Sequence, residues 1–217
     1  MNFKVLVVAF CICINLKSDY LDYLYKDLSV SHNAFGQGGL IHLPSAETKK
    51  EASISFTYND TGMWKMGTLT VNPFNWMEAS YFYYRPKDLI GGTGIGKYLD
   101  KGFNVKFSYE PKNINLPTIA LGLDDFAGTG LFTREYIVAT LPYKNVKVTA
   151  GIGWGKFVGD KKISNPLSIL SNSMDFRTTS FASQGGSLNS KQCFRGDATT
   201  LFGLEYAFQN LGGLKLK

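Results

Sequence analysis

Alternation of apolar and polar residues is the feature that most constrains how this chain can fold. In FNVKFSYE, residues 103–110, the apolar side chains Phe103, Val105, Phe107 and Tyr109 alternate with polar ones. Successive side chains of a β-strand point to opposite faces, so this segment is predicted to form a strand with one apolar and one polar face. The same pattern recurs at residues 51–59, 64–72, 76–84, 118–125, 134–141, 146–155 and 200–208. No helical stripe follows residue 30, and the sequence therefore predicts an all-β fold of antiparallel strands.

Strand length and the composition of the polar faces favour a membrane barrel. The predicted strands run about nine to eleven residues, the length that a tilted strand needs to cross a bilayer. Their polar faces carry Gly, Ser and Thr more often than charges, and only 18% of all residues are charged. Aromatic residues near the strand ends suit the interfacial girdles of a barrel. They are Tyr58, Trp64, Trp76, Tyr84, Tyr109, Tyr143 and Trp154. We therefore predict an antiparallel outer-membrane β-barrel, complete or partial.

A soluble β-sandwich is the alternative fold, because its strands alternate in the same way. A sandwich would turn the apolar face toward a packed core, whereas a barrel turns it toward lipid. The residues expected to face lipid are Val105, Phe107, Ile119, Leu121, Leu123, Val148 and Ile152. The residues expected to face a wet lumen are Asn104, Lys106, Ser108, Thr118, Gly122, Thr149 and Gly151. In this prediction, lumen water solvates the ammonium group of Lys106.

The connections between the predicted strands alternate in length. The longer ones are residues 85–101, 126–132 and 156–198, and from the 59–63 turn onward they are every second connection. Bacterial barrels have short periplasmic turns and longer outer loops, so these three are predicted to share the outer side. Residues 159–192, rich in Ser, Asn, Lys and Gly, are predicted to form a large polar loop. GLIHLP, residues 39–44, is then an extra short element.

The N-terminus is typical of an exported protein. Lys4 precedes an apolar run from Val5 to Leu16, which is too short for a membrane-spanning helix and suits a signal peptide. We predict a signal peptide at residues 1–18, a linker at 19–37 and a β-barrel domain at 38–217. A buried first strand is the alternative for the apolar run. The alternation restarts in the final GGLKLK, so the barrel domain is expected to be truncated at its C-terminus.

Several classes of function fit the composition poorly. The formal net charge is +6, but Lys and Arg are scattered, whereas nucleic-acid-binding proteins concentrate them in a patch. Removal of residues 1–18 would leave Cys193 as the one cysteine, and with two histidines in the chain no metal site is predicted. GGTGIGKY, residues 91–98, approximates a phosphate-binding loop. However, Tyr98 replaces its Ser or Thr and no helix pattern follows, so no cofactor is expected.

Asp124, Asp125 and Glu135 flank one connection, and paired carboxylates can hydrolyse glycosides. No histidine, serine triad or metal cluster accompanies them in the sequence, and Arg134 lies beside them as a partner for ion pairing. We therefore expect a non-enzymatic role, in which polar lumen and loop residues contact sugar hydroxyls and Tyr and Trp stack on sugar rings.

Five segments, in one order across nearly all of the mature chain, resemble the YjbH family of outer-membrane proteins for exopolysaccharide production, which is related to group 4 capsule lipoproteins. They are GGLIHLPSA (38–46), YLDKGFNVKF (98–107), LPTIALGLDDFAGTGLFTREYIVAT (116–140), GIGWG (151–155) and FRGDATTLFGLEY (194–206). The resemblance implies a β-barrel, a role in exporting or assembling a secreted polysaccharide, and a much longer chain. It assigns Tyr98 to a Tyr-Leu-Asp-Lys motif that opens a strand. A lipid anchor at Cys11 is not expected, because bulky Phe10 precedes it.

Membrane lipid, a secreted polysaccharide and other export-system proteins are the expected partners. The candidate lumen or loop contacts are Tyr98, Asp100, Lys101, Lys106, Asp124, Asp125, Arg134, Glu135, Trp154 and Arg195. The alternative function is a general porin or structural barrel of the outer membrane without polysaccharide specificity.

Overall fold

The fold is built almost entirely from antiparallel strands. The computed structural model describes residues 30–86, 99–113, 115–128, 130, 132–178 and 192–208, and the backbone of 214–216. Its strands are β1 (Gly39–Leu40), β2 (Leu43–Pro44), β3 (Ser53–Asp60), β4 (Trp64–Phe74), β5 (Met77–Pro86), β6 (Asp100–Tyr109), β7 (Thr118–Asp124), β8 (Arg134–Tyr143), β9 (Val146–Gly155), β10 (Ala198–Phe208) and β11 (Leu214–Leu216). Two short 3-10 helices, Pro166–Ile169 and Asn172–Asp175, lie in the connection between β9 and β10. None of the described helices could cross a bilayer.

Strands β3 to β11 form one nine-stranded meander, in which each strand pairs with the next along the chain. This confirms the all-β antiparallel prediction, and each predicted strand is present with bounds shifted by a few residues. Strands β1 and β2 pair only with each other as a hairpin, which confirms the extra element at 39–44. The described sheet is open, because β3 and β11 are its two edges.

The two faces of the sheet differ in polarity, and the buried face is the polar one. We call the face with Asn104, Lys106 and Thr149 the inner face and the opposite one the outer face. Inner-face Lys106 is 0% exposed, whereas outer-face Phe107 is 41% exposed. The polar face is therefore buried and the apolar face exposed, as the alternation predicts for a barrel. A sandwich with a buried apolar face is inconsistent with this arrangement.

Strand alternation places the longer connections at one end of the sheet. The β5–β6, β7–β8 and β9–β10 connections begin and end there, together with the 61–63 turn. We call this the long-connection end. The opposite end carries the two-residue turns 75–76 and 144–145 and the 110–117 connection. This arrangement confirms that the three longer connections share one side. Residues 87–98, with the glycine-rich stretch and Tyr98, lie outside the described residues, as does 179–191.

Residues 31–48, here called the inner segment, lie against the inner face. Ala46 and Leu43 of this segment pack with Ala120, Tyr136 and Val138 in a small core. Tyr136 lies directly over Gly122, where an added Cβ would come within 2.0 Å of the Tyr136 ring. The predicted linker, residues 19–37, overlaps the inner segment at residues 31–37, and these residues pack against the sheet. Residues 1–29 lie outside the described part of the chain.

Three of the aromatic residues assigned to membrane girdles do not belong to one. Trp64 and Tyr84 lie on the inner face, where their rings contact each other at a centroid distance of 5.6 Å. Trp154 is buried beneath the β9–β10 connection and donates its indole N–H to Asn165 Oδ1 at 3.0 Å. The prediction was wrong for Trp64 and Tyr84 because a position near a strand end does not tell on which face the side chain lies. It was wrong for Trp154 because strand position does not tell which residues a connection covers. Tyr58, Trp76 and Tyr109 are exposed, and Tyr143 is half-buried.

Candidate functional site

The candidate site is the inner face of the sheet together with the inner segment that covers it. Side chains of the strands hydrogen-bond the backbone of this segment along its length. Thr68 and Thr70 of β4 donate their hydroxyls to the carbonyl oxygens of Phe35 and Gly36, at 3.0 and 2.7 Å. The Ala46 amide donates to Thr140 Oγ1 of β8 at 2.9 Å. The inner face thus satisfies backbone groups that would otherwise be buried without partners.

A buried ion pair lies at the centre of this contact. Lys106 Nζ is 3.1 Å from Glu78 Oε1, and the two side chains are opposite each other on paired strands. The ammonium group also donates to the carbonyl oxygens of Gly38 and Glu47, at 3.1 and 2.8 Å. The Gly38 amide donates to both carboxylate oxygens of Glu78. Protein groups, and not lumen water, therefore solvate Lys106, which corrects the prediction of a wet environment for this residue.

Gly38 packs closely against the two charged groups and the backbone oxygen of Glu47. An added Cβ would lie 2.9 Å from Lys106 Nζ and 3.1 Å from Glu78 Oε2. Nearby, Lys147 Nζ donates to both carboxylate oxygens of Glu47, at 2.8 and 2.9 Å. Lys106 thus holds the inner segment on both sides of its hairpin, and Lys147 holds it on the C-terminal side.

A polar cluster lies at the long-connection end of the inner face. Arg134 donates its Nε and Nη2 to Asp124 Oδ2 at 2.9 and 2.6 Å, and Gln37 of the inner segment donates to Asp124 Oδ1 at 2.6 Å. The guanidinium carbon of Arg134 lies 3.8 Å from the centre of the Phe35 ring. This cluster joins the inner segment to β7 and β8 through charge and through stacking on the ring.

Asp125, the first residue after β7, adopts a left-handed backbone with φ of 54°. Its Oδ2 accepts a hydrogen bond from the Phe132 amide at 3.1 Å, and its side chain is buried. Burial raises the pKa of the Asp125 carboxyl to about 7. The neighbouring carboxylates of Asp100 and Asp124 act in the same direction, while the Phe132 amide opposes them. Asp125 is therefore largely protonated below neutral pH.

This raised pKa predicts a specific pH dependence of stability. Between the unfolded pKa of about 3.9 and the folded value, the folded chain retains a proton that the unfolded chain has lost. The contribution of Asp125 is therefore fully present below pH ~4 and is lost at up to about 1.4 kcal/mol per pH unit as the pH rises to neutrality. Asp125→Asn is expected to flatten this slope in urea unfolding curves, and exposed Asp160→Asn is expected to leave it unchanged. Equal slopes for Asp125→Asn and the wild type would contradict the assignment.

A cavity of about 250 Å³ adjoins this cluster. It lies at the long-connection end and is lined mainly by aromatic residues. Its lining residues are Phe35, Trp64, Met66, Phe82, Tyr84, Asp125, Phe132, Arg134 and Lys156. The rings follow one another in an arc, with centroid distances of 5.7 Å from Phe35 to Trp64 and 4.6 Å from Tyr84 to Phe132.

A second cluster lies on the outer face, beneath the β9–β10 connection. Arg177 of this connection donates to both carboxylate oxygens of Glu135, at 2.6 and 2.8 Å. Phe194 packs edge-on against Trp154 at a centroid distance of 5.2 Å. The described part of the predicted polar loop thus contacts the sheet. Arg195 in the same connection donates to the Ser173 carbonyl oxygen at 2.8 Å.

The structure divides the predicted site residues between the two faces. Asp100, Lys106, Asp124, Asp125 and Arg134 lie on or beside the inner face. Glu135 and Trp154 lie on the outer face beneath the connection that holds Arg195, and Lys101 is exposed on the outer face. Glu135 therefore does not share a site with Asp124 and Asp125, although the three flank one connection in sequence.

Sequence reasoning missed Glu78, Glu47, Lys147 and Arg177. Glu78 was detectable, since it falls on the polar face of a predicted strand and correct pairing places it opposite Lys106. Glu47 and Arg177 were not detectable because they lie in segments without strand periodicity. Lys147 lies in a predicted strand, but its partner Glu47 is 100 residues away. Within the described residues, no group of three or more His, Cys, Asp or Glu side chains could hold a metal ion.

Comparison with known proteins establishes the family. The family model described as "Exopolysaccharide biosynthesis protein YbjH" matches residues 31–217. The chain belongs to the YjbH family. A protein of Escherichia coli (strain K12) described as "Uncharacterized lipoprotein YjbH" is 32% identical to it over 181 residues. The aligned region covers 81% of this chain and 26% of that relative, so the chain spans about a quarter of the relative's length. No solved structure matches the chain.

Membership of the YjbH family confirms the resemblance found in the sequence. The matched region begins at residue 31, so it includes the whole inner segment as well as the sheet. The family description points to a role in exopolysaccharide biosynthesis, and the relative's description as a lipoprotein is consistent with an association with the cell envelope.

Proposed function

We propose that this chain forms part of an outer-membrane β-barrel that takes part in exopolysaccharide or capsule export without catalysing a reaction. The observation that carries the proposal is the polarity of the sheet, whose apolar face is exposed and whose charged face is buried. Ile54, Phe56 and Tyr58 of β3 are 69, 71 and 59% exposed. The polysaccharide in this proposal is inferred from the family description, which names exopolysaccharide biosynthesis.

A lipid environment accounts for the outer face better than water does. Monomeric soluble proteins rarely expose a contiguous apolar patch of more than a few hundred Å². Here large apolar side chains are exposed on the same face of every strand from β3 to β8, and they include Leu69, Tyr81, Phe103, Leu121 and Ile137. A barrel in a membrane places such a face against hydrocarbon and the charged face inside.

A bilayer would also require partners for the two edge strands. Unpaired backbone amides and carbonyls cost several kcal/mol each in hydrocarbon, so spanning sheets close into barrels. We propose that further strands of the barrel cover the edges of β3 and β11. The long-connection end would face outward, as longer loops do in bacterial barrels.

The proposal is tested by comparing secreted polysaccharide in wild-type cells, a deletion strain and a strain complemented with the intact gene. We expect secretion to fall in the deletion strain and to recover on complementation. A general porin predicts instead that small-solute uptake falls while secretion is unchanged. Unchanged secretion in the deletion strain, in cells shown to make the polymer, would refute the export role.

A further inference from the structure

Neither the fold nor the family description explains the aromatic cavity at the long-connection end. We propose that it binds one pyranose unit of a saccharide chain, with a preference for a unit that carries an acidic group. This inference rests on the proposed export function and names a ligand site for it.

The walls of the cavity match the chemistry of a sugar ring. A pyranose presents axial C–H groups on its faces and hydroxyls around its edge, and the flat apolar face of an aromatic ring stacks on such C–H groups. Trp64, Tyr84 and Phe132 are half-buried, so their rings pack in the fold and still border open space. At about 250 Å³, the cavity is just below the roughly 300 Å³ at which drug-sized ligand pockets begin, which suits a single ring.

The charged or titratable groups at the edge of the cavity are a guanidinium, a carboxyl and an ammonium group, those of Arg134, Asp125 and Lys156. Arg134 is paired with Asp124, so its charge is already balanced, but its guanidinium still borders the space. Asp125 lies at the edge of the cavity, with a carboxyl whose pKa burial raises to about 7, so that it is largely protonated only below neutral pH. A few polar groups converging on an aromatic cavity are the usual composition of a small-ligand site, in which they fix the orientation of the ligand.

Lys156 gives the site its charge preference. It is exposed at the start of the β9–β10 connection and forms no ion pair with any residue that the structure describes. Arg134 is balanced by Asp124, and below neutral pH, where Asp125 is protonated, the ammonium group of Lys156 is the charge in the cavity lining without a paired carboxylate. A sugar with a carboxylate would complement it, whereas a neutral sugar would gain from the rings alone.

The inner segment contributes one wall of the cavity, because Phe35 stacks on Trp64 with an angle of 10° between the rings. The site is therefore complete only when the inner segment is in place. The position at the long-connection end puts it where a chain entering or leaving the inner face would pass.

Isothermal titration calorimetry on the full chain in detergent tests the site with two probes, tetragalacturonate and neutral cellotetraose. We expect saturable binding of tetragalacturonate that is at least tenfold weaker in Trp64→Ala. Trp76→Ala is the matched control, because Trp76 is exposed at the opposite end of the sheet, in the 75–76 turn, and should leave binding unchanged. Lys156→Gln should reduce tetragalacturonate binding several-fold and leave cellotetraose binding unaffected. Trp64→Phe, which keeps an aromatic face, should retain most of the affinity, and a cooperative urea unfolding curve for Trp64→Ala shows that its loss of affinity is not loss of folding.

Three results would overturn the inference: no saturable binding of either probe, equal affinities for Trp64→Ala and Trp76→Ala, or no effect of Lys156→Gln on the preference for the acidic probe. Measuring polysaccharide secretion in cells with the same variants separates this inference from the export role. If the wild-type gene restores secretion but neither probe binds, the cavity assignment fails and the export role stands. If the probes bind as expected but the deletion strain secretes normally, the export role fails and the saccharide site stands.

Discussion

Lys106→Met is expected to lower the free energy of unfolding by about 3–5 kcal/mol, because it leaves the Glu78 carboxylate buried without its cation. The same change removes the donor to the carbonyl oxygens of Gly38 and Glu47, so the inner segment loses its central attachment. Urea unfolding of the protein in detergent, followed by tryptophan fluorescence, measures the change.

Two further variants make the Lys106 result specific. Lys162→Met removes an ion pair with Asp197 that is exposed on both sides, and it should leave the unfolding curve unchanged. Lys106→Met combined with Glu78→Gln removes both charges, and it should recover a large part of the loss because no unpaired charge remains. A Lys106→Met protein as stable as Lys162→Met would contradict a buried, paired lysine.

Leu121→Arg is expected to reduce stability in a bilayer by about 2–4 kcal/mol, the cost of arginine on the lipid face of a barrel near the midplane, because Leu121 is the central residue of β7. The matched control is Ile41→Arg in the turn of the β1–β2 hairpin, on the inner side of the sheet. Both side chains are exposed, at 36 and 56%. If both sites face water, both changes are tolerated, whereas lipid contact penalises only Leu121→Arg.

Unfolding in phosphatidylcholine vesicles, compared for the two variants, distinguishes these cases. The fraction that assembles into the vesicles should fall for Leu121→Arg and remain at the wild-type level for Ile41→Arg. Equal tolerance of the two arginines would refute lipid contact at β7 and with it the membrane assignment of the outer face.

Strand periodicity predicted the sheet well because it depends on nearest neighbours along the chain. The pattern of Phe103 to Tyr109 was sufficient to place Lys106 on the inner face and Phe107 on the outer one. It could not predict what surrounds Lys106, because Gly38 and Glu47 are 68 and 59 residues away and lie in a segment without periodicity. The same limit applies to Glu135, whose partner Arg177 lies 42 residues further along the chain.

The aromatic residues show a second limit. Trp64 and Tyr84 are near strand ends, which is why the sequence placed them in a girdle, but their parity puts them on the inner face beside Phe35. The alternation of faces along a strand could be read from the sequence, and it is a better guide to where a side chain lies than its distance from the strand end. For Trp154, parity gives the outer face correctly, yet the connection that covers it lies in a polar stretch with no periodic signal.

The inner segment has a consequence for the order in which the chain folds. Its Ser31 hydroxyl donates to Glu205 of β10, a partner 174 residues away, and its Glu47 pairs with Lys147, 100 residues away. Contacts between residues so far apart form only after the entropy of closing the long intervening loop has been overcome. The segment leaves the ribosome before any strand of the sheet, but it has no complete surface to dock on until β10 has joined the meander. We therefore expect the first described residues to be synthesised to be among the last to complete their native contacts, with part of the charged inner face open to water until then.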